Sequence, residues 1–222
     1  MDFPPGLLPD GLVRAANLVA LGWLLHALRR VPWSRLLNDS GFSHVLFGAC
    51  VALLVLWNLR AGIQPALNYH LLGATTLTLM VGWPLASLGM AVVVLGSAVN
   101  HGEGLATFGI NLLTMGLLPI LLTQSLLQFA QRRLPHNFFV YVYINAFLAG
   151  GLAMVTAGVA GSLVLWAAGV HEPGWLAERY LIYFPMLFFS EALANGMVTT
   201  MLVALRPGWV CSFDDALYID GK

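Results

Sequence analysis

Long apolar runs, separated by short polar segments, occupy most of the chain. Seven runs are present, at positions 12–28, 44–59, 70–81, 84–99, 108–129, 138–168 and 180–205. A helix needs about 20 apolar residues to cross a bilayer, and fewer where it is short or broken. The third run is followed at once by Gly82-Trp83-Pro84, a turn too tight to hold a domain. The pattern therefore predicts an all-α membrane protein built as a bundle of about seven transmembrane helices.

Composition supports the same class of protein. Hydrophobic residues make up 59% of the chain and charged residues only 9%, whereas soluble domains carry about 25% charged residues. The net charge is zero, so nothing predicts a nucleic-acid partner. Cys50 lies in an apolar run and Cys211 in a polar tail, which argues against a disulfide or a cysteine-based metal site. We expect a single polytopic membrane domain over 1–222.

The distribution of Lys and Arg predicts the orientation of the bundle, because cytoplasmic loops carry the excess of positive charge. With an outside N-terminus, only Arg14, Arg60 and Arg179 lie on the outer side. Trp57 falls at the end of an apolar run, where the aromatic residues of a membrane interface are expected. The remaining basic residues lie inside: Arg29, Arg30, Arg35, Arg132, Arg133, Arg206 and Lys222. We therefore expect a protein of the inner (plasma) membrane, with an outer segment at 1–10 and a cytoplasmic tail at 206–222.

This orientation brings several possible metal ligands to the outer face. Met1, Asp2 and His70 supply an amine, a carboxylate and an imidazole, and His101 and Glu103 lie in an outer loop. These are ligand types for zinc, nickel, cobalt and copper. An ionisable residue within a membrane segment is a functional hypothesis by default. The alternatives are a loop hydrogen bond for His70 and, for His101, a favourable position at a helix C-terminus.

Four motifs give the chain a family resemblance. Residues 1–6 read Met-Asp-Phe-Pro-Pro-Gly, and 69–74 read Tyr-His-Leu-Leu-Gly-Ala. Residues 101–107 read His-Gly-Glu-Gly-Leu-Ala-Thr before Gly-Ile-Asn at 109–111, and 190–193 read Ser-Glu-Ala-Leu. In their order along nearly the whole chain, they resemble those of the cobalt- and nickel-specific S components (CbiM/NikM type) of energy-coupling factor ABC transporters. That family carries Met-His-Ile-Pro-Asp-Gly, Gly-His-Leu-Leu-Gly-Gly, Gly-Asp-Gly-Gly-Leu-Thr with Gly-Ala-Asn, and Gly-Glu-Gly.

The resemblance implies that a divalent metal ion is bound outside by the N-terminal amine, the second residue and the histidine that opens the third helix. In this chain the metal ligands would be Met1, Asp2 and His70, with His101 as a weaker one. Four further residues would support the site: Asn68, Glu103, Asn111 and Glu191.

Asp2 departs from the family, which has histidine at this position. The carboxylate removes an imidazole and adds a hard oxygen, and ligand type and geometry decide which metal is held. We therefore expect a weaker preference for square-planar nickel and a gain for zinc or cobalt, which accept mixed nitrogen and oxygen ligands. The implied function is that of a substrate-capture or permease component for uptake of cobalt, nickel or zinc, with no organic cofactor.

The chain has no Walker A motif, and its cytoplasmic loops are too short to form an ATPase. The resemblance implies that a transmembrane coupling (T) subunit and ABC ATPase subunits supply the energy and that the chain is not an enzyme. Two alternatives remain open. One is a membrane module that binds metal, or a non-metal substrate, without transport by itself. The other is an intramembrane hydrolase in which Ser97 and His101, at i and i+4, form a dyad.

Overall fold

The computed structural model describes residues 2–59, 61–62, 68–102 and 105–219. Within these ranges, six helices are long and apolar enough to cross a membrane, and three shorter α-helices and a 3-10 helix at Pro207–Trp209 accompany them. In chain order they are α1 (Asp10–Arg30), α2 (Trp33–Asn38), α3 (Ser40–Trp57), α4 (Ala74–Val81), α5 (Trp83–Asn100), α6 (Leu105–Arg133), α7 (Phe138–Ala167), α8 (Pro173–Leu205) and α9 (Asp215–Tyr218). A two-residue antiparallel ladder joins β1 (Ala61–Gly62) to β2 (Asn68–Tyr69).

All seven apolar runs are helical, which confirms the all-α bundle, but the third run forms a shorter helix than predicted. α4 begins at Ala74 rather than at His70, because Gly73 adopts a left-handed conformation with φ of 66° just before the helix. Its eight residues span about 12 Å, well below the roughly 30 Å thickness of the hydrocarbon core. The predicted tight turn after this helix is confirmed at Gly82, where φ is 79°.

Three of the long helices contain irregular turns. α6 starts with a 3-10 turn and contains a π-helical turn, α7 contains a longer π-helical segment, and α8 is interrupted by a 3-10 turn. The irregular segments are Leu105–Thr107, Leu113–Leu117, Tyr141–Leu148 and Leu181–Tyr183. The α-helical parts between them are Phe108–Leu112, Leu118–Arg133, Phe138–Val140, Ala149–Ala167, Pro173–Arg179 and Phe184–Leu205.

The short helix α4 forms the centre of the bundle, in contact with α5, α6, α7 and α8, and nearly all of its residues are buried. Helices α1 and α3 pack on the outside of α5. Helices α7 and α8 approach closely at Gly150, where an added Cβ would lie only 2.9 Å from the Cβ of Asn195. Small residues allow such close backbone approach in membrane proteins.

The segment after α8 closes the far end of α4. The backbone N–H groups of Cys211 and Ser212 donate to the carbonyl oxygens of Met80 and Leu79, at 3.0 and 3.2 Å. The Ser212 hydroxyl also lies 2.7 Å from the Tyr141 hydroxyl. The last carbonyls of a helix have no partner within the helix, so these contacts satisfy the C-terminus of α4 inside the bundle. The predicted tail thus begins as a packed part of the molecule.

Candidate metal site

The side chain of His70 is buried at the end of the bundle where β2 meets α4. His70 is the first residue of the segment 70–73, called the His70 loop, which connects these two elements. Its Nε2 atom lies 3.4 Å from Oδ1 of Asp2, and its Nδ1 atom lies 3.3 Å from the carbonyl oxygen of Leu71. Both side chains are inaccessible or nearly so, at 0% and 4% exposure. The fold therefore brings together two of the predicted ligands from distant parts of the sequence.

Burial sets the protonation state of this histidine. Burial is the largest influence on the pKa of His70, which lies below its ordinary value despite the nearby Asp2 carboxylate, so the ring is neutral at neutral pH. A neutral imidazole has one N–H group and cannot donate to both oxygens at once. A neutral ring that donates from Nδ1 to the backbone leaves Nε2 able to bind a cation together with the carboxylate, the arrangement typical of metal-binding histidines.

Trp57, at the end of α3, covers His70. The two ring centroids are 4.4 Å apart with a tilt of 52°, and the indole Nε1 donates to the carbonyl oxygen of Leu72 at 3.1 Å. Only 1% of Trp57 is exposed. Its expected place in an interfacial aromatic belt is therefore wrong, because the indole N–H finds its partner inside the bundle. Nothing in the local sequence indicates this pairing.

Asn111, on α6, holds the backbone next to Asp2. Its Oδ1 accepts a hydrogen bond from the N–H of Phe3 at 2.9 Å, and its Nδ2 donates to the carbonyl oxygen of Phe3 at 3.3 Å. Phe3 is fully buried. This two-point contact fixes the start of the described chain against the bundle and so fixes the position of Asp2.

Glu191, on α8, contacts the backbone of the His70 loop. Its Oε2 and Oε1 atoms accept hydrogen bonds from the N–H groups of Leu72 and Gly73, both at 2.8 Å. One turn along α8, Oδ1 of Asn195 accepts from the N–H of Thr76 at 2.9 Å, and its Nδ2 donates to Glu191 at 2.8 Å. Asn195 thus satisfies one of the first N–H groups of α4, which lack partners within the helix, and Glu191 holds the two residues that lead into the helix.

The other predicted residues are placed differently. His101 is exposed at the end of α5, and its Nδ1 lies 2.9 Å from the backbone carbonyl oxygen of Ser97, a contact typical of a histidine at a helix end. Asn68, on β2, lines a small cavity together with His70. Met1 and Glu103 lie outside the described residues. Among the residues described, no three His, Cys, Asp or Glu side chains cluster closely enough to hold a metal ion.

The fold and the buried carboxylate–imidazole pair define a multi-pass membrane protein with possible cation ligands at one end of its bundle. The sequence matches the family model described as the cobalt uptake substrate-specific transmembrane region over residues 2–209, and the chain belongs to that family. This membership confirms the resemblance drawn from the four motifs and places the chain among the membrane components of transition-metal uptake.

A solved crystal structure described as a truncated transition metal transporter has the same fold. The TM-score is 0.76, and the match covers 92% of this chain and 99% of that chain at 16% sequence identity. No curated protein matches the sequence. The family and the structural neighbour are both transporter components rather than enzymes.

Proposed function

We propose that this chain captures a divalent transition-metal ion outside the cell for uptake, as the S component of an energy-coupling factor transporter. The ion, zinc, cobalt or nickel, is the substrate. A transmembrane coupling subunit and ABC ATPase subunits supply the energy. The N-terminus faces outside, and the C-terminus faces the cytoplasm. Family membership supports this assignment.

The distance between Asp2 and His70 carries the proposal. Bonds from a metal to nitrogen or oxygen are about 2.0–2.2 Å long, so two ligands at a tetrahedral angle lie about 3.4 Å apart, whereas adjacent square-planar ligands lie about 2.9 Å apart. The separation of Nε2 and Oδ1 is 3.4 Å. This spacing lets one ion contact both atoms, and the mixed nitrogen and oxygen ligands favour zinc or cobalt over square-planar nickel.

We propose the amine of Met1 as the third ligand, since it directly precedes Asp2 in the chain. The contact between Asn111 and Phe3 supports this by fixing the backbone on the other side of Asp2. Glu191 supports the site by holding the backbone of the His70 loop, and Asn68 supports it by lining the small cavity beside His70. Glu103 is proposed as a supporting residue from its place in the family motif. The exposure of His101 and its bond to Ser97 favour a structural position over a ligand.

Metal analysis of the purified protein tests the proposal. The protein is prepared without chelator, and its zinc, cobalt and nickel contents are measured before and after a chelator wash. We expect about one equivalent of metal that the wash removes and that added zinc or cobalt restores. Protein that neither retains nor rebinds any of the three metals would refute the assignment. Rebinding without uptake by vesicles that contain all partner subunits would instead indicate a metal-binding module.

A further inference from the structure

The side chain of Asn17 joins α1 to the start of α6. Its Oδ1 atom accepts a hydrogen bond from the N–H of Gly109 at 2.7 Å, and its Nδ2 atom donates to the carbonyl oxygen of Ala106 at 2.8 Å. Asn17 lies within the first apolar run of the sequence, and amide side chains in such runs form hydrogen bonds between membrane helices. Both polar ends of this amide therefore belong to the contact between α1 and α6.

The backbones of α1 and α6 come very close at this contact. A Cβ added to Gly109 would lie only 2.5 Å from the Cα of Asn17, so glycine is required there. N–H groups at the start of a helix need acceptors from outside that helix, and the hydrocarbon core of a membrane supplies none. Asn17 thus fixes the first α-helical turn of α6 against α1.

A second contact lies two residues further along α6. Asn111 binds the backbone of Phe3 through hydrogen bonds of 2.9 and 3.3 Å. The two contacts lie about 3 Å apart along the helix axis, so one short stretch of α6 holds the chain at both Phe3 and Asn17. Leu8, between these two residues, is buried at 5% exposure. The N-terminal segment between them is therefore held against the bundle at both ends.

These contacts affect the metal site because Asp2 directly precedes Phe3. His70 is held by other helices: Glu191 on α8 binds the backbone of the His70 loop, and Trp57 on α3 covers the ring. The separation of Asp2 Oδ1 and His70 Nε2, 3.4 Å, therefore depends on how α1 and α6 lie relative to α3 and α8. Bonds between a metal and its ligands tolerate deviations of only about 0.2 Å, so a small displacement of α6 weakens binding.

We propose that Asn17 is a positioning residue for the metal site. By holding the start of α6 it fixes Asn111, and through Phe3 it fixes Asp2 relative to His70. The proposal rests on the proposed function, in which Asp2 and His70 are ligands. It assigns to α1 an effect on metal affinity that acts through α6.

Metal titration of two variants tests this role. Asn17→Leu keeps a side chain of similar size and loses both hydrogen bonds. The matched control is Trp23→Phe, which removes another side-chain hydrogen bond of α1, from the indole N–H to the Ser87 hydroxyl of α5 at 3.1 Å. Calorimetric titration with zinc and cobalt, well below the unfolding midpoint of each variant, should show about tenfold weaker binding for Asn17→Leu and wild-type affinity for Trp23→Phe.

A double-mutant cycle shows whether the effect passes through Asn111. Asn111→Ala releases Phe3 from α6, so Asn17→Leu should weaken metal binding little further in that background. Losses that add in full would mean that the two residues act independently and would overturn the proposal. If Asn17→Leu does not fold, Asn17→Asp replaces it, since it keeps an acceptor for Gly109 and loses only the donor to Ala106.

Thiol accessibility reports on the N-terminal segment without metal. Leu8→Cys is introduced in a background of Cys50→Ala and Cys211→Ser, and the rate of its reaction with a maleimide is measured on the purified full chain. We expect Asn17→Leu to raise this rate and Trp23→Phe to leave it unchanged. An unchanged rate in Asn17→Leu would show that Asn17 does not hold the segment and would overturn the proposal.

The outcomes separate this proposal from the proposed function. Wild-type protein that binds none of the three metals would refute both. Wild-type binding that Asn17→Leu leaves unchanged, or that Trp23→Phe weakens equally, would refute only the positioning role of Asn17. A raised thiol rate with unchanged metal affinity would show that Asn17 holds the segment without positioning the ligand, and would refute that role as well.

Discussion

Oε1 of Glu191 accepts a hydrogen bond of 2.8 Å from the N–H of Gly73, three residues after His70. The same carboxylate also accepts a hydrogen bond from the N–H of Leu72. A side chain of α8 therefore fixes the backbone that carries the main proposed ligand, His70. A carboxylate at a helix N-terminus also interacts favourably with the helix dipole. The proposed metal site and the start of α4 therefore depend on one buried acidic residue.

Replacing Glu191 with Ala should destabilise the fold, because two buried N–H groups lose their acceptors. We expect a cost of about 2–5 kcal/mol, measured as a lower midpoint of thermal or denaturant unfolding. Ser190→Ala is the matched control, since Ser190 is exposed and its hydroxyl donates to the carbonyl oxygen of Met186 in its own helix. Equal midpoints for the two variants would show that the cap contributes little.

His70→Ala should abolish bound metal while leaving expression and folding nearly intact, because it removes the only imidazole beside Asp2 in the described part of the chain. His101→Ala is the comparison, and we expect at most about a tenfold loss of affinity there. Metal content and titration calorimetry measure both. Unchanged metal content in His70→Ala would exclude His70 as a ligand.

Substitution of Asp2 should change metal selectivity. Asp2→His replaces an oxygen with a second imidazole and should shift preference towards nickel, which favours square-planar nitrogen ligands. Asp2→Asn keeps the size and removes the charge, so it should weaken zinc and cobalt binding without favouring nickel. Competition titrations of the three metals on each variant measure the shift. Identical selectivity in all variants would place residue 2 outside the site.

Metal affinity should depend on pH in two steps. Ligands bind metal in their deprotonated forms, and a free terminal amine has a pKa of about 8, so affinity should fall first as the pH drops below that value. Because burial lowers the pKa of His70, protons compete for its ring only below the ordinary value of about 6.5. Acetylation of the amine should remove the upper step and reduce affinity; a titration curve unchanged by acetylation would exclude the amine.

The same shift affects the metal-free protein. The unfolded chain protonates His70 at a higher pH than the folded chain, so folding stability should decrease as the pH falls through about 6.5. Unfolding midpoints of the wild-type protein and His70→Ala, compared at pH 7.5 and 5.5, measure this contribution. The wild-type midpoint should fall further between the two values; parallel decreases would contradict the burial of a neutral ring.

The orientation is tested by cysteine accessibility in intact cells. In a Cys211→Ser background, needed because Cys211 is exposed, a cysteine at Ala177 should react with an impermeant thiol reagent and one at Ser40 should not. Both positions are exposed on the protein surface, so burial does not explain the difference. The reverse pattern would place the His70 loop in the cytoplasm and contradict the proposed direction of capture.

The sequence by itself determined the fold class and the family. Seven apolar runs specify helices because a membrane leaves backbone groups no other partners, and this signal is local to each segment. The tight turn at Gly82 and the inward-facing pair Glu191 and Asn195 are also local signals, one from Gly-Trp-Pro and the other from polar residues four apart within an apolar run.

Only the tertiary structure decided where the third helix begins, which face Trp57 presents and what surrounds His70. The sequence pattern extends α4 to His70, but Gly73 and the cap from Glu191 start the helix four residues later. Trp57, Asp2 and Glu191 meet the loop from three separate parts of the chain, and Asn111 holds Phe3 next to Asp2. The pattern of apolar residues shows where helices form. It does not show which distant side chains meet, because those contacts depend on how the helices pack and on where buried N–H groups find acceptors.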